Sequence, residues 1–139
     1  MDLYTLNRHC DLVQQFKNAK ELYATTEAKG LGAQRLTGMP HGTGVSDNTG
    51  ALAAALADIS GQVSYLEKRI MESSPEIEEF IAGIPVLKTR LIFRYRFLCG
   101  MSWGEVAGMF DIGTTETSVK NTVYDYLEKQ NQQSVTDED

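Results

Sequence analysis

Apolar residues in the middle of the chain recur at alternating spacings of four and three. The series is Leu52, Leu56, Ile59, Val63, Leu66, Ile70, Ser73, Ile77, Phe80 and Ile84, and only Ser73 interrupts its apolar character. Because spacings of four and three keep side chains on one side of a helix, this regularity predicts a long helix with a coiled-coil-like seam.

Two partners are compatible with this seam. The β-branched residues that dominate every second position suit a parallel coil with a second copy of the chain. The alternative partner is the helix predicted over residues 3–29, where apolar residues also follow helical spacing and Gly30 marks the end. We favour this antiparallel hairpin within one chain, with part of the seam left for a homodimer.

The segment that joins the two helices is predicted to be a loop. Residues 30–50 contain six glycines, Pro40 and an Asp47-Asn48 pair, a composition that disfavours a helix. Its G-x-G spacings follow no strand and no G-K-[ST] occurs, so a phosphate-binding loop is not supported.

Two prolines mark changes further along the chain. Pro75 follows two serines, so it either kinks the long helix or begins a new one with Ser74 as the N-cap. Pro85 is predicted to open the next helix, which Gly100 ends. The predicted core side of that helix consists of Leu87, Leu91, Tyr95 and Leu98.

The region 102–127 predicts two short helices joined by a turn. Ser102 and Glu105 form an S-x-x-E capping box, and Thr115 is the predicted N-cap of the second helix. The buried positions of the second helix are predicted to be Val119, Val123, Tyr126 and Leu127. A short helix with a buried stripe and a polar face suits a reader of the DNA major groove, although an ordinary helical domain has the same pattern.

No strand pattern is present, so the predicted fold is all-α. Residues 1–84 form an N-terminal helical hairpin, coiled-coil-like, that includes the loop 30–50. Residues 85–129 form a C-terminal three-helix unit with a helix-turn-helix. Residues 130–139 are predicted to be a disordered acidic tail.

The run RLIFRYRFLCGMSWGEVAGMFDIG, followed by TSVKNTVYDYL, resembles region four of bacterial sigma factors. With the loop MPHGTGVSD before the long helix, the whole chain resembles phage-encoded regulators of the RinA and ArpU type and their prophage relatives. The resemblance implies a helical, DNA-associated phage protein. The chain departs from the sigma pattern because Val119 lies twelve positions after Ala107, about two more than usual, which indicates a longer turn.

The second helix of this unit supplies the predicted contacts with bases. Asn pairs with adenine, Thr meets the thymine methyl group, and Lys reaches guanine. The predicted base-reading residues are Thr115, Thr117, Lys120, Asn121 and Tyr124, and the predicted phosphate contacts are Arg90, Arg94, Arg96 and Ser118. Trp103 is predicted to anchor the junction between the helices.

The net charge of −6 is unevenly distributed. Residues 1–85 carry seven basic and eleven acidic side chains, whereas residues 86–129 carry six basic and five acidic ones. The second part therefore has a small positive excess that suits phosphate. So few contacts predict modest DNA affinity for a monomer and a gain from dimerisation.

Nothing in the sequence predicts catalysis or a cofactor. His9 and Cys10 are adjacent on a helix and point apart, and no further Cys or His completes a metal site. Cys10 and Cys99 are expected to be reduced thiols, and no secretion signal or membrane-spanning run is evident, so the expected location is the cytoplasm of a bacterial host.

The predicted function is a phage or prophage DNA-binding transcriptional regulator that acts as a homodimer on double-stranded DNA. One alternative is a DNA-packaging subunit, similar to a small terminase, which would form a ring of many copies. The other is a protein-interaction module that docks on host RNA polymerase. No enzyme activity, small-molecule substrate or membrane partner is expected.

Overall fold

The computed structural model describes the backbone of residues 1–36 and 42–137 and the side chains of residues 1–30 and 49–133. All regular structure in these residues is helical, as predicted. The elements are α1 (Leu3–Leu36), α2 (Gly42–Ala82), α3 (Leu87–Phe93), a π-helical segment (Arg94–Leu98), α4 (Trp103–Gly108) and α5 (Glu116–Asp137).

The loop predicted over residues 30–50 is wrong for most of its length. Helix α1 continues through Gly30 to Leu36, and α2 already begins at Gly42. A glycine inside a helix costs only about 1 kcal/mol relative to alanine, a cost that packing can offset. Gly30 packs closely against the Leu52 side chain, because an added Cβ at position 30 would overlap it. The remaining residues of the predicted loop, 37–41, lie outside the described residues.

Helix α2 is continuous through Pro75, so the alternative in which a new helix begins there is wrong. An N-cap serine would accept a hydrogen bond from a following N–H, but the Ser74 hydroxyl instead donates to the Ile70 carbonyl at 2.7 Å. The Ser73 hydroxyl lies 3.3 Å from the same carbonyl. Pro75 itself is exposed and lies within the helix.

The chain is organised as two compact units. Unit 1 comprises residues 1–14 and 70–139, and unit 2 comprises residues 15–69. This division differs from the boundary predicted after residue 84, because both chain segments before that point supply side chains to the core of unit 1. The buried core of unit 1 contains Leu6, Cys10, Ile77, Ile81, Ile84, Ile92, Phe93, Phe97, Val106, Ala107, Val119, Val123 and Leu127.

The predicted core side of the helix after Pro85 is correct only in part, because Tyr95 and Leu98 pack against the core but Leu87 does not. The helix begins at Leu87, after the extended Val86, and Leu87 itself is 58% exposed. The buried side chains are instead Ile92, Phe93 and Phe97, while the other predicted core residues are half-buried. Two effects explain the difference: phenylalanine rings bury the largest apolar area, and a π-helical turn shifts the side-chain phase.

The predicted end of this helix at Gly100 is confirmed. The Cys99 N–H donates to the Arg94 carbonyl at 3.0 Å, which is the last π-type bond, and Gly100 then adopts φ +70°. The Met101 N–H closes the turn on the Tyr95 carbonyl at 3.1 Å. Glycine is favoured at this position because side chains resist positive φ.

Helix α5 extends to Asp137, so the prediction of a disordered tail is wrong for residues 130–137. The segment contains no glycine or proline, and an existing helix adds residues more easily than a new helix nucleates. The Gln130 side-chain amide also donates to the Tyr126 hydroxyl at 3.1 Å. Residues 138–139 lie outside the described residues.

The polar interruption of the seam, Ser73, has a buried partner. The His9 Nδ1 lies 2.6 Å from the Ser73 hydroxyl oxygen, and His9 is only 2% exposed. Burial lowers the pKa of His9, and the nearby charge of Glu78 opposes this effect. The imidazole is therefore held neutral inside unit 1.

We expect the free energy of unfolding to fall as the pH drops below about 6.5, the ordinary pKa of histidine. Because the folded-state pKa is lowered, the unfolded chain binds more protons in this range, and stability must decrease toward acid. Urea unfolding of the parent and of His9→Gln between pH 7.5 and pH 5.5 measures this. The variant should lose part of the pH dependence, and equal pH dependence in both would contradict the assignment.

Candidate nucleic-acid interface

The start of α4 is fixed by the predicted capping box. The Ser102 hydroxyl accepts from the Glu105 N–H at 3.2 Å, and the Glu105 carboxylate accepts from the Ser102 N–H at 3.2 Å. These two bonds satisfy backbone groups that a helix start would otherwise leave unpaired. Val106 and Ala107 then enter the core with 0% and 8% exposure.

The start of α5 is fixed in the same reciprocal way, with serine in place of glutamate. The Thr115 hydroxyl accepts from the Ser118 N–H at 3.1 Å, which confirms Thr115 as the N-cap. The Ser118 hydroxyl accepts from the Thr115 N–H at 3.1 Å and lies 2.9 Å from the Thr115 carbonyl. The T-x-x-S spacing is the sequence signal for this capping role of Ser118, which was predicted only as a phosphate contact.

The connection between α4 and α5 runs from Met109 to Thr115, which agrees with the longer turn indicated by the sequence. The Thr114 N–H donates to the Asp111 carbonyl at 2.9 Å inside this turn. Two of its apolar side chains point outward, since Met109 is 51% exposed and Ile112 is fully exposed, whereas Phe110 packs against the core of unit 1.

Helix α5 is amphipathic along its first three turns. Val119, Val123 and Leu127 are 4% exposed or less, as predicted, and Tyr126 is half-buried. The opposite side exposes Thr117 and Asn121. The sequence therefore placed the accessible face of this helix correctly.

Two further base-reading candidates on α5 have partners in the structure. The Lys120 ammonium lies 3.5 Å from the Glu116 carboxylate, one helical turn away. An exposed pair of this kind is worth only about 0.3–0.5 kcal/mol, so phosphate or a base can replace the glutamate. Tyr124 is 44% exposed, and its ring lies 6.3 Å from that of Trp103.

Trp103 joins three parts of unit 1, as its predicted anchoring role requires. Its ring lies 6.3 Å from Phe97 at an interplanar angle of 88°, besides its contact with Tyr124. The Arg96 guanidinium carbon lies 4.5 Å from the centre of the indole ring, which is a cation–π distance. Trp103 thus connects the π-helical segment to α4 and α5.

The arginines predicted to bind phosphate differ in their surroundings. Arg94 is exposed, whereas Arg90 and Arg96 are half-buried. The Arg90 guanidinium donates to the Ile84 carbonyl at 3.0 Å, and the Arg96 guanidinium donates to the Met101 carbonyl at 2.8 Å. Arg90 and Arg96 therefore already hold chain segments together, and Arg94 is the accessible cation of the three.

The remaining candidates for chemistry are a metal site and the two cysteines. Within the described residues, no group of three or more potential ligands is placed to hold a metal ion. Cys10 is buried and its thiol donates to the Arg96 carbonyl at 3.2 Å, while Cys99 is half-buried. None of the described helices has the length and apolar character required to cross a bilayer.

We compared the chain with protein-family models, with curated proteins and with solved structures, and none of them matches it.

Proposed function

We propose that the protein is a phage or prophage DNA-binding transcriptional regulator whose α4 and α5 form a helix-turn-helix. The observation that carries this proposal is the geometry of α5. Two reciprocal hydrogen bonds between Thr115 and Ser118 fix its start, a buried stripe holds one side, and Thr117 and Asn121 stand exposed beside Lys120 on the other. A major-groove reader needs these properties in its second helix.

The proposed arrangement is an N-terminal hairpin of α1 and α2 followed by a three-helix unit. In that unit, α3 with the π-helical segment supports α4 and α5. The core that the three share, around Phe97, Val106 and Val123, is fully buried. A rigid core of this kind is what keeps a recognition helix in a fixed orientation.

Thr117, Lys120 and Asn121 are the main proposed base contacts. The hydroxyls of Thr115 and Ser118 already form hydrogen bonds with backbone groups at the start of α5. They would therefore position α5, and they would contact DNA only by accepting a second hydrogen bond. Arg94 is the first proposed phosphate contact, because it is exposed. The positive excess of residues 86–129 is small, which favours a homodimer, since two linked units gain affinity together. The proposed location is the bacterial cytoplasm.

Replacing Lys120 by alanine is expected to weaken DNA binding by about 1–3 kcal/mol if the side chain reads a base, and by less if it meets phosphate alone. Fluorescence anisotropy on fragments from the neighbouring phage genome and on scrambled DNA, over a salt series, measures this effect. Lys129→Ala is the matched control, because Lys129 is an exposed lysine further along α5.

Two results would contradict the DNA-binding proposal. The first is the absence of any binding at low salt by a folded sample, since phosphate contacts are strongest there. The second is binding that is equal for both DNA samples and unchanged by Lys120→Ala. This second result would remove α5 as the reader even though the protein binds DNA.

A second candidate function is docking on host RNA polymerase. The observation that favours it is the outward apolar surface of the connection, where Met109 and Ile112 are exposed. Exposed apolar side chains of this size suit a protein partner. Co-purification with polymerase that Ile112→Ser abolishes, together with no DNA binding, would favour this candidate over the regulator.

A further inference from the structure

The described part of unit 2 is a single layer of two helical segments, one from α1 and one from α2. An added Cβ on Gly30 would meet Leu52, and Lys20 and Tyr23 line one cavity with Ser60 and Ser64. Residues later in α1 therefore contact residues earlier in α2, so the two segments are antiparallel.

This layer leaves its apolar residues incompletely covered. Among the described side chains of unit 2, only Leu66 is buried, at 2% exposure. The other seam positions, from Leu52 to Val63, are half-buried. Helices bury their apolar stripes against other elements in stable domains, and the pairing of these two segments leaves most seam side chains only half-buried. The described part of unit 2 thus lacks a second layer.

The uncovered side of the pair has a defined shape. A cavity of about 230 Å³ opens along it, lined by Lys20, Tyr23, Ser60, Val63 and Ser64. On α2, small residues follow the seam on this side at spacings of four, three and four: Ala53, Ala57, Ser60 and Ser64. Small side chains beside a large apolar seam allow a third helix to approach closely, as in a four-helix bundle.

We propose that this surface binds the same surface of a second copy, so that two helix pairs form a four-helix bundle. The homodimer belongs to the proposed function, whereas the surface that forms it goes beyond that function and rests on residues 15–69 alone.

The charge of unit 2 favours its own copy as the occupant. Residues 15–69 carry six basic and five acidic side chains, whereas the rest of the chain carries seven basic and fourteen acidic ones. Two copies of a nearly neutral surface meet without net repulsion, and a strongly charged partner would find no complementary field. Association through unit 1 would instead bring two strongly acidic units together.

The size of the surface also suits a dimer. Within unit 2, the α1 segment runs from residue 15 to Leu36, and at 1.5 Å per residue this gives a length of about 33 Å. Two adjacent helices are about 20 Å wide, so the face over which both run covers about 660 Å² per copy. Stable interfaces bury about 600–1,000 Å² on each partner.

Sedimentation velocity of the full chain over a concentration series tests the proposal. The parent is expected to show twice the chain mass of 15.4 kDa. Ser60→Glu should raise the dimer dissociation constant by at least about tenfold, because it places like charges in the bundle. Ser60 is exposed in the single chain, so the variant should still fold, which circular dichroism verifies.

Two variants serve as controls. Gln62→Glu adds the same charge on the opposite side of α2, where Gln62 is exposed, and should leave the dimer intact, as should Ser60→Ala. A monomeric parent, a ring of many copies, or a dimer that Ser60→Glu leaves unchanged would each overturn the proposal. Failure of DNA binding is a separate result, because the mass is measured without DNA.

Discussion

Replacing Phe93 by alanine is expected to lower the free energy of unfolding by about 3–5 kcal/mol. Phe93 has 0% exposure and lies at the centre of the aromatic cluster of unit 1. Removing its ring from a close-packed core loses the transfer free energy of the ring and leaves a cavity that the neighbours fill only in part.

The neighbours of Phe93 are themselves large rings. The Phe93 centroid lies 6.0 Å from Phe80, 5.5 Å from Phe97 and 5.5 Å from Tyr126. Tilted and edge-on aromatic pairs at these distances contribute about 0.5–1.5 kcal/mol beyond the area that they bury. Because the three partners come from α2, the π-helical segment and α5, the substitution weakens several junctions at once.

Urea unfolding followed by circular dichroism measures this loss. Leu87→Ala is the matched control, since Leu87 lies on the same short helix but is 58% exposed. Surface substitutions of this kind usually change stability by about 0.5 kcal/mol or less. Similar losses for the two variants would mean that Leu87, the residue predicted from sequence, belongs to the core after all.

Features set by local chemistry could be predicted from the sequence. The capping box at Ser102, the N-cap at Thr115 and the turn at Gly100 each depend on residues within a few positions. The buried stripe of α5 could also be predicted, because helical periodicity alone distinguishes the two faces of this helix. These local features also define the candidate interface, so its position on the chain could be predicted.

Features set by tertiary contacts could not be predicted. The helical continuation through Gly30 depends on Leu52, more than twenty residues away, and composition alone favoured a loop. The partner of Ser73 is His9, 64 positions earlier, and no periodicity links the two. The short apolar pattern after Pro85 is compatible with more than one buried face of the helix. The packing of the phenylalanine rings determines which face is buried.

The same distinction applies to the predicted phosphate contacts. Sequence identifies arginines on a helix flank but not the carbonyl groups within their reach. Arg90 and Arg96 each bind a backbone carbonyl in the structure, whereas Arg94 remains exposed. The two carbonyls lie six and five residues from their arginines, beyond the ends of the helix, so these contacts depend on how the chain turns there and not on the helical pattern.

Replacing Gly100 by alanine is expected to lower the free energy of unfolding by about 2–5 kcal/mol. Two separate costs contribute. Gly100 has φ +70°, where an L-residue with a side chain loses about 1–2 kcal/mol. The added Cβ would also lie 2.8 Å from Val13 Cγ1 and 3.3 Å from Val13 Cβ, an overlap that costs about 1–3 kcal/mol.

A double-mutant cycle with Val13→Ala separates the two costs, because alanine at position 13 lacks the Cγ1 atom that the new methyl would meet. The loss caused by Gly100→Ala should then shrink toward the backbone cost alone. Gly61→Ala is the control, since a Cβ at that helical position meets nothing within 4 Å and should stabilise by about 0.5–1 kcal/mol. If the Gly100→Ala loss is the same with and without Val13, the steric contact contributes nothing, and backbone conformation alone requires glycine between α3 and α4.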